Sequence, residues 1–328
     1  MKKIACTGYH ATGAGVIDDL LREFDNVAQG TYEAETRLLQ DPDGISDLEY
    51  YLVENPHRLN SGYALKRFLD YVNRTKRTYT KIFGKRWKEI SYDYAESLAK
   101  FKYKGYWHGD FWLLSKFWQN VLLFRRGMAK ILPKPLKKSS QYNYFPWLES
   151  YHIAISEDEF LEKTRNYIDR LCEELCQNGE EYVVLDQLVP PNHPARYARY
   201  VNDLKIIIVE RDPRDLFLCL RALGDRVMPK DTEEFCEAYR DYRKVLSTLP
   251  PEQCMTVHFE DMIYHYDEYV KKVTDFIGLN ETHHLYKKQH FDPGISIKNT
   301  KLWLKQTQYS HEIQLIEKLL PEYLYSFD

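Results

Sequence analysis

Two stretches of the chain place residues where they could hold an anion. The first is GYHATGAG, which is Gly8, Tyr9, His10, Ala11, Thr12, Gly13, Ala14 and Gly15. A glycine-rich turn that enters a helix turns backbone N–H groups and the positive end of the helix dipole toward negative charge. The spacing from Gly8 to Gly13 equals the first part of the GxxxxGK[ST] loop. Ala14 and Gly15 stand where that loop carries the lysine that reaches the terminal phosphates and the hydroxyl that holds magnesium. An ordinary P-loop ATPase or kinase is therefore not expected. The dinucleotide fingerprint GxGxxG is absent as well, and the loop taken alone also fits a tight turn with no ligand.

The second stretch is KIIIVERDPRDLFLCLRA at 205–222. Its β-branched run ends in Arg211, Asp212, Pro213, Arg214 and Asp215. Strand C-termini are where open α/β sheets bind ligands. A structural ion pair between Arg211 and Asp215 is the plainer use of the same residues.

The elements needed to position these residues can be read from periodicity. KIACT at 3–7 reads as a buried strand, and Val16, Ile17, Leu20, Leu21 and Phe24 follow at helical spacing. Ser156 and Glu159 form a capping box ahead of a helix that Gly179 stops. YVVL at 182–185, KIIIV at 205–209 and MTVHF at 255–259 read as strands. Helices are expected through about Leu223, over 231–247, over 266–277 and over 307–320. Strands alternating with helices predict an α/β fold: a P-loop-type parallel sheet covered by helices. The stretch 45–150 is aromatic and basic, reads as helical, and shows no convincing strand. The expectation is one domain over 1–328, with its core at about 1–40 and 180–328 and a helical insertion at about 45–150.

The RDPRD segment resembles the 3′-phosphate-binding element of sulfotransferases that use 3′-phosphoadenosine 5′-phosphosulfate (PAPS). In that family an arginine at the strand end and a serine eight residues later hold the 3′-phosphate. Here Arg211 matches the arginine and Cys219 replaces the serine. GYHATGAG lies where the family has its 5′-phosphosulfate loop, with Thr12 and Gly13 matching a Ser-Gly pair. VHFEDMIYHYDEYVKKVTDFIGL at 257–279 is similar to a later strand-and-helix element, and SIKNTKLWLK at 296–305 to a basic segment that closes over the nucleotide. The chain also resembles sulfotransferase-like proteins of bacterial capsule and surface-polysaccharide synthesis. The resemblance implies a donor site built from residues 8–15, Arg211, Cys219, Lys298 and Lys301, with PAPS as co-substrate and 3′-phosphoadenosine 5′-phosphate (PAP) as product.

Sulfuryl transfer needs an in-line approach, charge neutralisation and a base, and no metal is expected. The candidate catalytic residues are Glu33, Asp186 and His10, with Glu33 and Asp186 preferred for their places after strand ends. Glu35, beside Glu33, could also reach the site, and His108 is a weaker choice. The family's cation before the Ser-Gly pair is Ala11 here, and Ala14-Gly15 replaces its hydroxyls. His10, Arg37, Lys66, Lys298 and Lys301 are candidate substitutes. The implied activity is transfer to a hydroxyl of a glycan or glycolipid. Two alternatives remain open: a nucleotide-binding relative with an altered donor or no activity, and another P-loop phosphotransferase.

Composition narrows the setting. The chain has 328 residues, 44% of them hydrophobic, and a formal net charge of −3, so nucleic acid is not an expected partner. Six cysteines form no CxxC pair, and the N-terminus enters a strand without an apolar leader, which reads as cytoplasmic. From Phe111 to Leu148 there is no Asp or Glu, while Lys116, Arg125, Arg126, Lys130, Lys134, Lys137 and Lys138 alternate with aromatic residues. Either this is a helix packing its rings inward, or 111–138 is an acceptor groove or a peripheral contact with the inner face of a membrane.

Overall fold

The structure, a computed structural model, describes residues 1–30, 34–131, 145, 147–224 and 227–327. The chain divides into two compact units, residues 1–40 with 172–328, and residues 41–171.

The first unit is α/β, with a parallel sheet flanked by helices. Its strands are β1 (Lys2–Gly8), β2 (Val27–Gln29), β5 (Tyr182–Asp186), β6 (Leu204–Glu210) and β7 (Cys254–His258), in the order β2-β5-β1-β6-β7. Every pairing is parallel, with Gly8 opposite Val209 and Cys6 opposite Asp186. The two expected ligand-binding strand ends are thus those of adjacent central strands. Alternate residues of the strands, Ile4 and Cys6 with Ile207 and Val209, face the helices Gly15–Leu21, Phe259–Tyr264 and Tyr266–Ile277. Both faces of a parallel sheet are normally buried, which is why these strands read as continuous apolar runs. A second cluster joins the helices Pro213–Ala222, Thr232–Tyr242 and Ser310–Leu319 through Leu216, Phe235 and Ile316.

The second unit is mainly helical. The helices Asn60–Arg74, Lys76–Phe83, Trp87–Leu98 and Glu157–Glu173 pack around stacked rings, among them Tyr94 and Tyr167 at 4.3 Å. The buried phenols are satisfied: Tyr94 pairs with Thr164 and Tyr167 with Ser91, each at 2.7 Å. The expectation that this stretch holds no strand is corrected. β3 (Phe101–Lys104) pairs antiparallel with β4 (Glu149–His152). FKYK is exposed along its whole length, so the hydrophobic signal of a buried strand was never there.

Helix ends differ modestly from expectation. The helix expected over 231–247 stops at Tyr242, and the one expected from 307 begins at Ser310 after a 3-10 turn. Ser156 does cap its helix, its Oγ accepting from the Glu159 N–H at 3.3 Å.

Candidate functional site

The glycine loop is held in a curled, left-handed path. His10, Ala11 and Gly13 have φ of +46°, +51° and +91°. A non-glycine residue in that region costs on the order of 1–3 kcal/mol, and such strain gathers at ligand sites. Gly13 is required twice over, because a Cβ there would lie 2.6 Å from the Phe259 ring. At Gly8 a Cβ would meet Thr12 Oγ1 at 2.1 Å and the Val209 carbonyl at 2.9 Å. The loop is therefore pressed against the end of β6. The Val16 N–H donates to the Gly13 carbonyl at 3.0 Å and starts the helix.

Arg211, the first residue after β6, reaches into this loop. It is 4% exposed. Its Nη1 donates to the Ala11 carbonyl at 3.1 Å and its Nη2 to the Asn299 carbonyl at 2.6 Å. The guanidinium carbon lies 4.8 Å from the Phe259 ring centre. Nε is buried without a partner, so three of the five N–H bonds of the fork are uncommitted. The ion pair with Asp215 is not what forms. Asp215 instead accepts from the Lys301 N–H at 2.7 Å and the Leu302 N–H at 2.6 Å. Burial, and then the neighbouring Asp212, push its carboxyl up to about 6. The motif thereby ties the late basic segment to the glycine loop.

The other acidic groups here are equally structural. Asp212 caps its helix and accepts from the Arg214 N–H at 2.8 Å and Arg214 Nη2 at 2.7 Å. Its own N–H donates to Glu260 Oε1 at 3.1 Å. Glu260 is fully buried, and burial raises its carboxyl to about 7.

A cleft of about 250 Å³ opens beside the loop. Its walls include Gly8–Ala11, the segment after β2 with Glu35 and Arg37, and the segment after β5 with Gln187 and Asn192. His10 in the loop is partly exposed, with its ring 6.0 Å from Tyr242. Partial burial, and then the Arg37 guanidinium, lower its titration below the ordinary imidazole value, with Glu35 opposing. Arg37 and Glu35 form an ion pair at 3.5 Å. Tyr9 lies against Arg243, ring centre to guanidinium 4.3 Å, and Arg243 pairs with Glu210 at 2.9 Å. Burial, and then Glu210, raise the Tyr9 phenol to about 12.

Asp186 ends β5 next to this cleft's wall residue Gln187. Burial, then Asp18 and Glu35, raise its carboxyl to about 7. Its Oδ1 has no hydrogen-bond partner.

Lys301 has its ammonium over the rings of Phe327 at 4.5 Å and Tyr264 at 5.2 Å. Lys298 is exposed on the 3-10 turn Ile297–Asn299, and Cys219 is half-buried on the helix after Arg211. Lys66 belongs to the second unit, where it pairs with Asp110 at 2.8 Å. His108 is exposed in the same unit. Glu33 lies outside the described residues. Among the described residues no group of His, Cys, Asp or Glu is arranged to hold a metal. Sequence reading missed the Tyr9–Arg243–Glu210 group. Glu210 abuts the RDPRD motif, but nothing near Arg243 in sequence marks it.

Residues 141–283 match the model of the Sulfotransferase family. That stretch contains β5, β6, β7 and the RDPRD motif, and it leaves out the glycine loop. No curated protein matches the chain. Among solved structures, the sulfotransferase STF1 of Mycobacterium tuberculosis H37Rv is similar at 12% identity, with 92% of this chain and 76% of that chain covered and a TM-score of 0.35.

Proposed function

Taking residues 141–283 as sulfotransferase-family sequence, we propose that the protein transfers a sulfuryl group from PAPS to a hydroxyl of a glycan or glycolipid, such as a bacterial surface polysaccharide, in the cytoplasm. The observation that carries this reading is the contact of Arg211 with the glycine loop. It draws a guanidinium with unused donors to the strand end where the loop curls. On this reading the loop amides and that guanidinium would hold the phosphates of the nucleotide.

Each residue then has a task. The acceptor hydroxyl attacks sulfur as the bond from sulfur to the phosphate oxygen of PAP breaks. His10, whose titration is lowered by partial burial and by Arg37, takes the acceptor proton. Arg37, which lines the same cleft, supplies the charge that Ala11 does not. Asp186 is the second candidate base, held half-protonated near neutral pH.

A second reading, a PAP-binding protein without transfer, is favoured by the loop's lack of a cation or hydroxyl at Ala11, Ala14 and Gly15. A kinase-like reading is opposed by the missing loop lysine. Incubation with ³⁵S-labelled PAPS and lipid-linked or free glycans separates these. Labelled glycan supports transfer. PAP binding with no labelled product, over a broad acceptor panel, supports the non-catalytic reading.

A further inference from the structure

In the second unit the helix Lys116–Ile131 turns apolar side chains outward. In the helix Asn60–Arg74 the apolar Leu65, Phe68 and Val72 are buried, as an amphipathic helix requires. The helix Lys116–Ile131 instead buries Gln119 beside Leu122, with Gln119 Nε2 donating to the Leu114 carbonyl at 2.9 Å. Its outward stripe is Phe117, Phe124, Met128 and Ile131, which are 66%, 69%, 42% and 80% exposed. These positions fall at i, i+7, i+11 and i+14, one face of a helix. Trp112, 70% exposed on the preceding turn, and Trp147 add rings of the kind that settle between headgroups and acyl chains. The reading of rings packed inward is not what these residues do.

We infer that this stripe, with the flanking Lys116 and Lys130, is a docking face for an anionic lipid bilayer. Exposed bulky apolar side chains beside lysines on a helix with no acidic residue are the composition of a helix lying in the membrane interface. Charge selects the occupant. Phe111 to Leu148 contains no Asp or Glu, so a second copy placed face to face would set cations against cations. A negatively charged leaflet complements the same charges. No described helix is long and apolar enough to cross a membrane, so the contact is one of lying on the surface. It stands independently of the transfer chemistry, and its test involves neither PAPS nor an acceptor.

Flotation of the whole protein with vesicles of phosphatidylcholine alone, and of phosphatidylcholine mixed with phosphatidylglycerol, tests this. Binding to the anionic vesicles only, weakened by salt, is expected. Phe117→Ser with Phe124→Ser should lower the partition coefficient by about tenfold or more. Both side chains already face outward, so the fold should be retained, which circular dichroism checks. Lys116→Glu with Lys130→Glu is a second variant expected to lose the preference for anionic lipid. Three results would overturn the assignment: equal binding to both vesicle types, failure to bind either, or sedimentation showing a dimer that the Phe117→Ser/Phe124→Ser variant dissolves.

Discussion

Arg211 Nη1 donates to the carbonyl of Ala11 at 3.1 Å, a contact spanning 200 residues of chain. It joins the ends of two adjacent parallel strands, and the second Nη of the same guanidinium holds Asn299. One side chain thus sets the loop, the strand end and the late segment in register with one another.

Replacing Arg211 should therefore disturb ligand and fold together. Lysine is a point charge on a flexible stem and cannot serve both carbonyls in the fork geometry. Arg211→Lys is expected to weaken PAP binding by about tenfold or more. Arg211→Ala should abolish it and cost roughly 2–4 kcal/mol of stability. Calorimetry and urea unfolding give the two quantities separately. PAP affinity unchanged within a few-fold in Arg211→Ala would remove the 3′-phosphate assignment.

Gly13→Ala tests the loop's path. Alanine would have to hold φ near +91° and place its Cβ against Phe259. A loss of about 2–4 kcal/mol is expected by urea denaturation. A loss under about 0.5 kcal/mol, the range of ordinary surface changes, would mean that the loop relaxes freely.

Much of this architecture was legible before the structure. The buried strands announce themselves as short apolar runs, and the RDPRD motif ends the clearest of them. The roles within the motif were not legible. Asp215 and Arg211 look like an ion pair in sequence, yet each bonds to backbone brought in from near residue 300. Arg243 was invisible because its partners, Tyr9 and Glu210, are contributed by distant parts of the chain. The outward rings of Lys116–Ile131 were also ambiguous, since a periodic stripe specifies a face and not what the face meets. β3 was missed because an exposed strand lacks the apolar signature.

His10 provides a pH test. On the proposed mechanism, its lowered titration should place the acid limb of kcat/KM below the ordinary imidazole value. Removing the Arg37 charge stabilises the imidazolium, so Arg37→Ala should move that limb to higher pH. His10→Ala should reduce kcat/KM by about a hundredfold to ten-thousandfold. An acid limb that Arg37→Ala leaves in place would assign it to another group.

Asp186 offers a stability test with a definite sign. A carboxyl raised to about 7 in the fold binds its proton more tightly there than in the unfolded chain. Its stabilising contribution is complete below pH of about 4 and is lost as pH rises through 7. Asp186→Asn removes that loss. The variant should be more stable than the parent by roughly 1–3 kcal/mol at pH 8, with the difference shrinking toward pH 4. Urea unfolding at the two pH values reads both. A gain that is the same at pH 4 and pH 8 would show that the charge is not its source.

The donor site itself is tested most directly by titrating the unmodified protein with PAP, and separately with ATP, in a calorimeter. Saturable one-to-one binding of PAP, tighter than ATP by about tenfold or more, is expected from a guanidinium and a lysine-free loop converging on a 3′-phosphate nucleotide. No heat with PAP, or ATP binding as tightly as PAP, would contradict it.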